Sequence, residues 1–230
     1  MSTIGTQRIA RVNLSMPYYG TARADVIPEN GDAPAVGPST LTIVDLALVG
    51  GILRADIDAP EKPHAIWVSG PGWDLPLAGR SYKASVQLKT ILADLLSDVS
   101  AACTKEGYAA ESYAAMPANA TIAGCSGYVR LASTSKAQRT GRMTLASLWR
   151  AGLIPAWWIA PDGSTHFDSR PSGVSVGRND IMRRNAAAGM RWLGCDSPVG
   201  FLPGTTLEGV MTSRLVVKEN GGSLTAEAWQ

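Results

Sequence analysis

Apolar residues recur at Leu88, Ile91, Leu92, Leu95, Val99 and Ala102, the rhythm of a single helix face. The spacing predicts a helix over residues 85–103, with Ser85 able to cap its first turn. Lys89 is opposed by Asp94 and Asp98, so the polar side lacks the cationic character of a membrane-surface helix and the apolar stripe reads as a core face. Before this helix the period shortens. Residues 41–57 are aliphatic and β-branched and predict a strand bent or bulged at Gly50-Gly51, which pairs with a second strand over 65–69 ended by Gly70-Pro71-Gly72. Residues 17–40 hold Pro17, Gly20, Pro28, Gly31, Pro34, Gly37 and Pro38, a density of breakers that predicts a loop or extended arm.

Residues 109–143 are rich in Ala, Ser, Thr and Gly and predict irregular connection, with one short strand over 128–131. A second helix is expected from Thr144, as cap, through Leu145, Leu148 and Trp149 to a stop at Gly152. Two hairpins follow. Pro161, Asp162 and Gly163 form a three-residue loop that pairs Trp157 with Phe167 and Ile159 with Thr165. With Asn220-Gly221 as the second loop, Val217 meets Leu224 and Leu215 meets Ala226; a Gly221-Gly222 loop would set Glu219 against Leu224, so the first register is preferred. The expected organisation is a segment or arm over 1–40, a β-rich module with the helix over 41–130, and a β-rich module with both hairpins over 131–230.

Composition narrows the functional classes. Among 230 residues, 21 basic and 19 acidic side chains leave a formal charge of +2, which argues against a dedicated polybasic nucleic-acid binder. The sign is unevenly placed: residues 25–61 carry seven acids against Arg54, while residues 112–161 carry Arg130, Lys136, Arg139, Arg142 and Arg150 and no acid, suggesting that one copy's acidic patch meets another's basic patch. Cys103, Cys125 and Cys195 show no CxxC spacing, so neither a disulfide framework nor a zinc ribbon is expected, and synthesis in a reducing cytosol is. The polar-apolar alternation of residues 1–14 is unlike a signal peptide, and Asp45 interrupts the most apolar window; no stable membrane association is expected.

Candidate chemistry is sparse. Gly173-Val174-Ser175-Val176-Gly177 has the letters of a nucleophile elbow, but that fold orders Ser, acid, His, and here His64 and His166 both precede Ser175. Cys125, His166 and Asp168 contain the groups of a thiol hydrolase, with His166 and Asp168 alternating onto one side of a strand. Two histidines so far apart do not suggest a metal site, and no glycine-rich phosphate loop is present. Of the seven tryptophans, Trp157 and Trp158 are the best candidates for stacking on a sugar, although neighbours on a strand face opposite ways and only one of them would serve. No catalytic residue, cofactor-binding residue or metal ligand is therefore assigned.

Three stretches resemble the baseplate or tail-tip hub proteins of tailed bacteriophages, the group of the late control protein D type and the hub of Mu-like phages. They are Arg80-Ser81-Tyr82 leading into the first helix, the short helix that runs into Trp157-Trp158-Ile159-Ala160-Pro161-Asp162-Gly163-Ser164, and Leu202-Pro203-Gly204-Thr205-Thr206-Leu207-Glu208-Gly209 before the closing strands. The resemblance implies an α+β, β-dominant fold of small (split) β-barrel modules with hairpins and one or two packed helices. It further implies a non-enzymatic virion protein without cofactors: a trimeric ring of copies that links the tail tube to the central spike, touches other baseplate proteins and surrounds passing DNA. The competing classes are a tail-associated peptidoglycan hydrolase, with Cys125 or Ser175 as nucleophile, and a sugar-binding tail-tip protein.

Overall fold

The structure, a computed structural model, describes residues 2–56, 64–82, 86–120, 129–130, 140–171, 181–193 and 197–230. Its contacts divide the chain into two compact units, Met1–Ser69 with Arg170–Gln230, and Gly70–Ser169. The units are thus not the consecutive modules 41–130 and 131–230, because both ends of the chain build the first.

That first unit begins with six strands: β1 (Thr3–Ile4), β2 (Gln7–Pro17), β3 (Arg23–Pro28), β4 (Gly37–Ile43), β5 (Leu46–Asp56) and β6 (His64–Val68). They pair in the order β1-β4-β5-β6-β3-β2, and β2 returns to β1, which closes a small barrel. Alternation along β2 and β3 sends Val12, Leu14, Met16, Ala24 and Val26 inward, where they meet Leu41, Ile43, Leu48, Ile52 and Trp67. Closure removes the exposed edges that an open six-stranded sheet would leave. Residues 17–40 are therefore not an arm: they hold β3 and the start of β4, and the breakers fall where strands end, Gly20 and Gly31 with φ of 98° and 76°. The aliphatic run after residue 40 is likewise a hairpin rather than one bent strand, since Ile43 pairs with Leu46 across Val44-Asp45. The β5 irregularity lies between Ile52 and Arg54, just beyond Gly50-Gly51.

In the second unit β7 (Arg80–Ser81) pairs with β8 (Val129–Arg130), and α1 (Leu88–Glu106) buries Leu88, Ile91, Leu92, Leu95, Val99 and Cys103. The stripe is the one the sequence shows, except that Cys103 rather than Ala102 completes it. The helix starts after Gln87, which makes no side-chain cap, and ends at Gly107 with φ of 77°; Ser85 lies outside the described residues. Arg80 ties β7 to α1 through Asp98, at 2.7 and 3.0 Å, and Asp94 at 3.2 Å. The second helix, α2 (Gly141–Arg150), is capped by Thr140, whose hydroxyl accepts from the Met143 amide at 3.3 Å. Thr144 is instead buried inside the helix, where its hydroxyl donates back to the Thr140 carbonyl. Between the helices' buried faces sits Trp73, in a turn of 3₁₀-helix at Pro71–Asp74, its indole N–H donating 2.8 Å to Thr165 Oγ1. The strands β9 (Trp158–Ile159) and β10 (Thr165–His166) pair Ile159 with Thr165, as the Pro161-Asp162-Gly163 loop requires, and Gly163 has φ of 89°.

The chain returns to the first unit with β11 (Ile181–Asn185), β12 (Met190–Leu193), β13 (Thr206–Leu207), β14 (Val210–Met211), β15 (Arg214–Asn220) and β16 (Ser223–Trp229). Strand β15 pairs with the part of β2 beyond its contact with β1, and the sheet continues as β15-β16-β12-β11. The small β13-β14 hairpin is tied to this extension by Glu208, whose carboxylate accepts from Arg184 and Arg191. The β15-β16 register corrects the preferred expectation: the loop is Gly221-Gly222, Glu219 faces Leu224, and Val217 and Leu215 face Ala226 and Ala228. Moving the register by two residues leaves the same side chains facing inward, so burial does not discriminate; the turn does. Both loop residues have positive φ, 56° and 83°, the pattern of a type I′ turn, and Gly-Gly meets it without a Cβ penalty. Gly222→Ala should cost about 1–2 kcal/mol, the penalty for placing an L side chain in the left-handed region, whereas Gly221→Asn should be nearly neutral; urea melts of the two variants check this.

Candidate functional site

The chemically richest neighbourhood among the described residues is the β9-β10 hairpin of the second unit. Asp162 closes the loop by accepting from the Ser164 amide at 2.9 Å and from its hydroxyl at 2.7 Å, and these bonds hold the Asp162 carboxyl below its ordinary pKa. His166 lies on β10, and Ser164 and Asp168 stand two residues to either side of it, just outside that strand. Ser164 Oγ is 3.2 Å from His166 Nε2, and His166 Nδ1 is 3.5 Å from an Asp168 carboxylate oxygen. The imidazole stacks on the Trp158 indole at 4.4 Å with 18° between planes, and Trp158 Nε1 donates 3.0 Å to the Asp168 carbonyl. Ring plane and strand end are thereby fixed together. His166 and Asp168 line, with Ala115, Met116, Pro117, Ala118, Pro155 and Phe167, a cleft of about 190 Å³.

A buried polar clasp lies elsewhere in the same unit. Glu111 Oε1 accepts from the Gly72 amide at 2.8 Å and is almost wholly buried. Burial pushes its pKa up to about 7, with the Asp74 charge adding to the rise and the Gly72 N–H opposing it. Gly72 is obligatory, because a Cβ there would stand 2.3 Å from Cys103 Sγ and 2.7 Å from the Glu111 side chain. Burial first, and then the Glu111 charge, lift the Cys103 thiol to about 11, which makes it a packing group rather than a nucleophile.

Other sequence candidates disperse. His166 and Asp168 do come together, but Cys125, Cys195 and Gly173 through Gly177 with Ser175 lie outside the described residues. Trp157 and Trp158 are both buried, so neither offers a face to a sugar. His64, on β6, stands 3.5 Å from Asp25 on β3. The charged segments are partly spent within their own units: Asp45 accepts from the Ser197 hydroxyl, and Arg142 pairs with Asp74 at 2.7 Å. Among the described residues no three His, Cys, Asp or Glu side chains are grouped to hold a metal, and no helix is long and apolar enough to cross a membrane. Two members of these neighbourhoods, Ser164 and Glu111, carry little signal in the sequence. Ser164 is marked only by its place two residues before His166. Glu111 was visible only as a lone acid in an Ala- and Tyr-rich stretch.

No protein-family model matches the chain, and no curated protein matches its sequence. Solved structures do match its fold. A 43 kDa tail protein of prophage MuSo2 from Shewanella oneidensis aligns over 99% of this chain and 95% of its own at TM-score 0.62 and 10% identity. A tail protein from Neisseria meningitidis MC58 aligns over 99% and 94% at TM-score 0.55 and 10% identity. The E. coli c3393 protein aligns over 99% and 75% at TM-score 0.55 and 6% identity; it is described as a type VI secretion component structurally similar to the T4 bacteriophage tail proteins gp27 and gp5. At such identities the likeness is one of fold, and it agrees with the resemblance carried by the three sequence stretches.

Proposed function

We propose that this chain is a structural component of a phage tail, a hub protein at the tail tip whose copies form a ring around the DNA channel and join the tail tube to the central spike. The observation that carries the reading is the alignment of nearly the whole chain with a prophage tail protein at TM-score 0.62. The fold suits such a role, because its β-dominant first unit closes a barrel and carries the same sheet on through β15, β16, β12 and β11. Its partners are other copies of itself, the tail tube, the spike and other baseplate proteins; contact with passing DNA is transient. Its place is the virion, after synthesis in the bacterial cytoplasm. The ring role calls for no bond-making step. Negative-stain images of the purified full-length protein, or of the particle's tail end, should show closed rings. A protein that stays monomeric at high concentration and is absent from tail tips would overturn the assignment.

A further inference from the structure

The Ser164, His166 and Asp168 line has an arrangement that a ring component does not need. Three residues at i, i+2 and i+4, the middle one on β10 and the others just outside it, place a hydroxyl 3.2 Å from an imidazole nitrogen, whose other nitrogen lies 3.5 Å from a carboxylate. Stacking on Trp158 fixes the imidazole plane, so the ring need not be ordered when a substrate arrives. The neighbouring cleft is lined by Ala, Met, Pro and Phe residues together with His166 and Asp168, while Ser164 stands outside this lining, on the other nitrogen of the His166 ring from Asp168. Its volume of about 190 Å³ is well beyond what one water needs, so the cleft has room for a small organic group.

We propose that Ser164 is a nucleophile served by His166, and that the second unit hydrolyses short-chain carboxylic esters whose acyl end enters the Met116–Phe167 cleft. With the proton on Nδ1, toward Asp168, His166 Nε2 keeps its lone pair for the Ser164 hydroxyl. As Oγ bonds to the ester carbonyl carbon, its proton passes to Nε2. The bond from that carbon to the leaving oxygen then breaks, and the alcohol departs with the same proton. Water, deprotonated by Nε2, attacks the acyl-serine; the carboxylic acid leaves and Oγ regains its proton. Asp168 balances the imidazolium in both halves. The Ser164 oxygen already stands 3.2 Å from Nε2, and its proton, donated to Asp162 at 2.7 Å, turns toward His166 before transfer. That competing bond sets a modest rate, well below that of a dedicated esterase.

The test treats the full-length protein with a fluorophosphonate probe and with 4-nitrophenyl acetate. The expected result is a phosphonyl adduct mapped by peptide mass spectrometry to Ser164, together with ester turnover. That turnover should fall at least tenfold in Ser164→Ala and in His166→Gln, and stay unchanged in Ser147→Ala, which alters a hydroxyl on α2. Circular dichroism melts establish that the variants are folded. If one is not, adduct mapping on the unaltered protein still decides: an unmodified Ser164 peptide, or labelling elsewhere only, overturns the proposal. Because ring formation and esterolysis are read separately, failure of one leaves the other standing.

Discussion

Replacing Trp67 with alanine should lower the stability of the barrel unit by about 3–5 kcal/mol, the cost of emptying a large aromatic site from a packed core. Trp67 is completely buried on β6, and its indole N–H donates 3.0 Å to the Ser39 carbonyl, so the variant loses both packing and a partner for that carbonyl. The ring fits because Gly50 lies against it: a Cβ at residue 50 would stand 2.2 Å from the Val68 carbonyl oxygen and 2.5 Å from the indole. Gly50→Ala should therefore be costly as well, by about 3 kcal/mol, the upper part of the usual range for overpacking. Because its tightest clash is with backbone, Trp67→Phe should fail to rescue it. Urea denaturation followed by tryptophan fluorescence measures all three. Restoration of stability in the Gly50→Ala, Trp67→Phe double variant would show that the side chain, not the Val68 carbonyl, sets the limit.

The second large effect is a pH dependence centred on Glu111. Its folded pKa of about 7 lies above the ordinary 4.5, so between those values the folded chain binds more protons than the unfolded one. Stability then falls as pH rises: the contribution is fully present below 4.5 and lost on passing through 7, a change of about 3 kcal/mol over the window. Glu111→Gln retains an oxygen that accepts from the Gly72 amide and cannot ionise. The variant should consequently be about 2–3 kcal/mol more stable than the original at pH 8, and little different at pH 4.5. Urea melts of the full chain across this range test the point, and parallel curves for the two proteins would contradict it.

Much of this was legible because it is local. The α1 stripe follows from a 3.6-residue period within one segment, and the Pro161-Asp162-Gly163 turn from backbone preferences of adjacent residues; both stand where the sequence puts them. The errors share a different physics. A high density of prolines and glycines in residues 17–40 marks strand ends as well as loops, and only the burial of Ala24 and Val26 against the barrel core identifies β3 as a strand. Alternation assigns a face but no partner, so the β15-β16 slip of two residues was invisible to hydrophobic pattern and rested on two consecutive positive φ values. Glu111 shifted because residues near 72, 103 and 111 converge, and no periodicity announces that meeting.

By itself, then, the sequence determined a β-dominant chain with two helices, two hairpins and the spacing that brings His166 beside Asp168, since each depends on torsions and spacing within a few residues. Tertiary structure alone decided the closure of the barrel through β1 and β2, the building of one unit from both chain ends, the hairpin register and the desolvation of Glu111. These depend on which distant surfaces exclude water together, and that free energy belongs to the assembled packing rather than to any single segment.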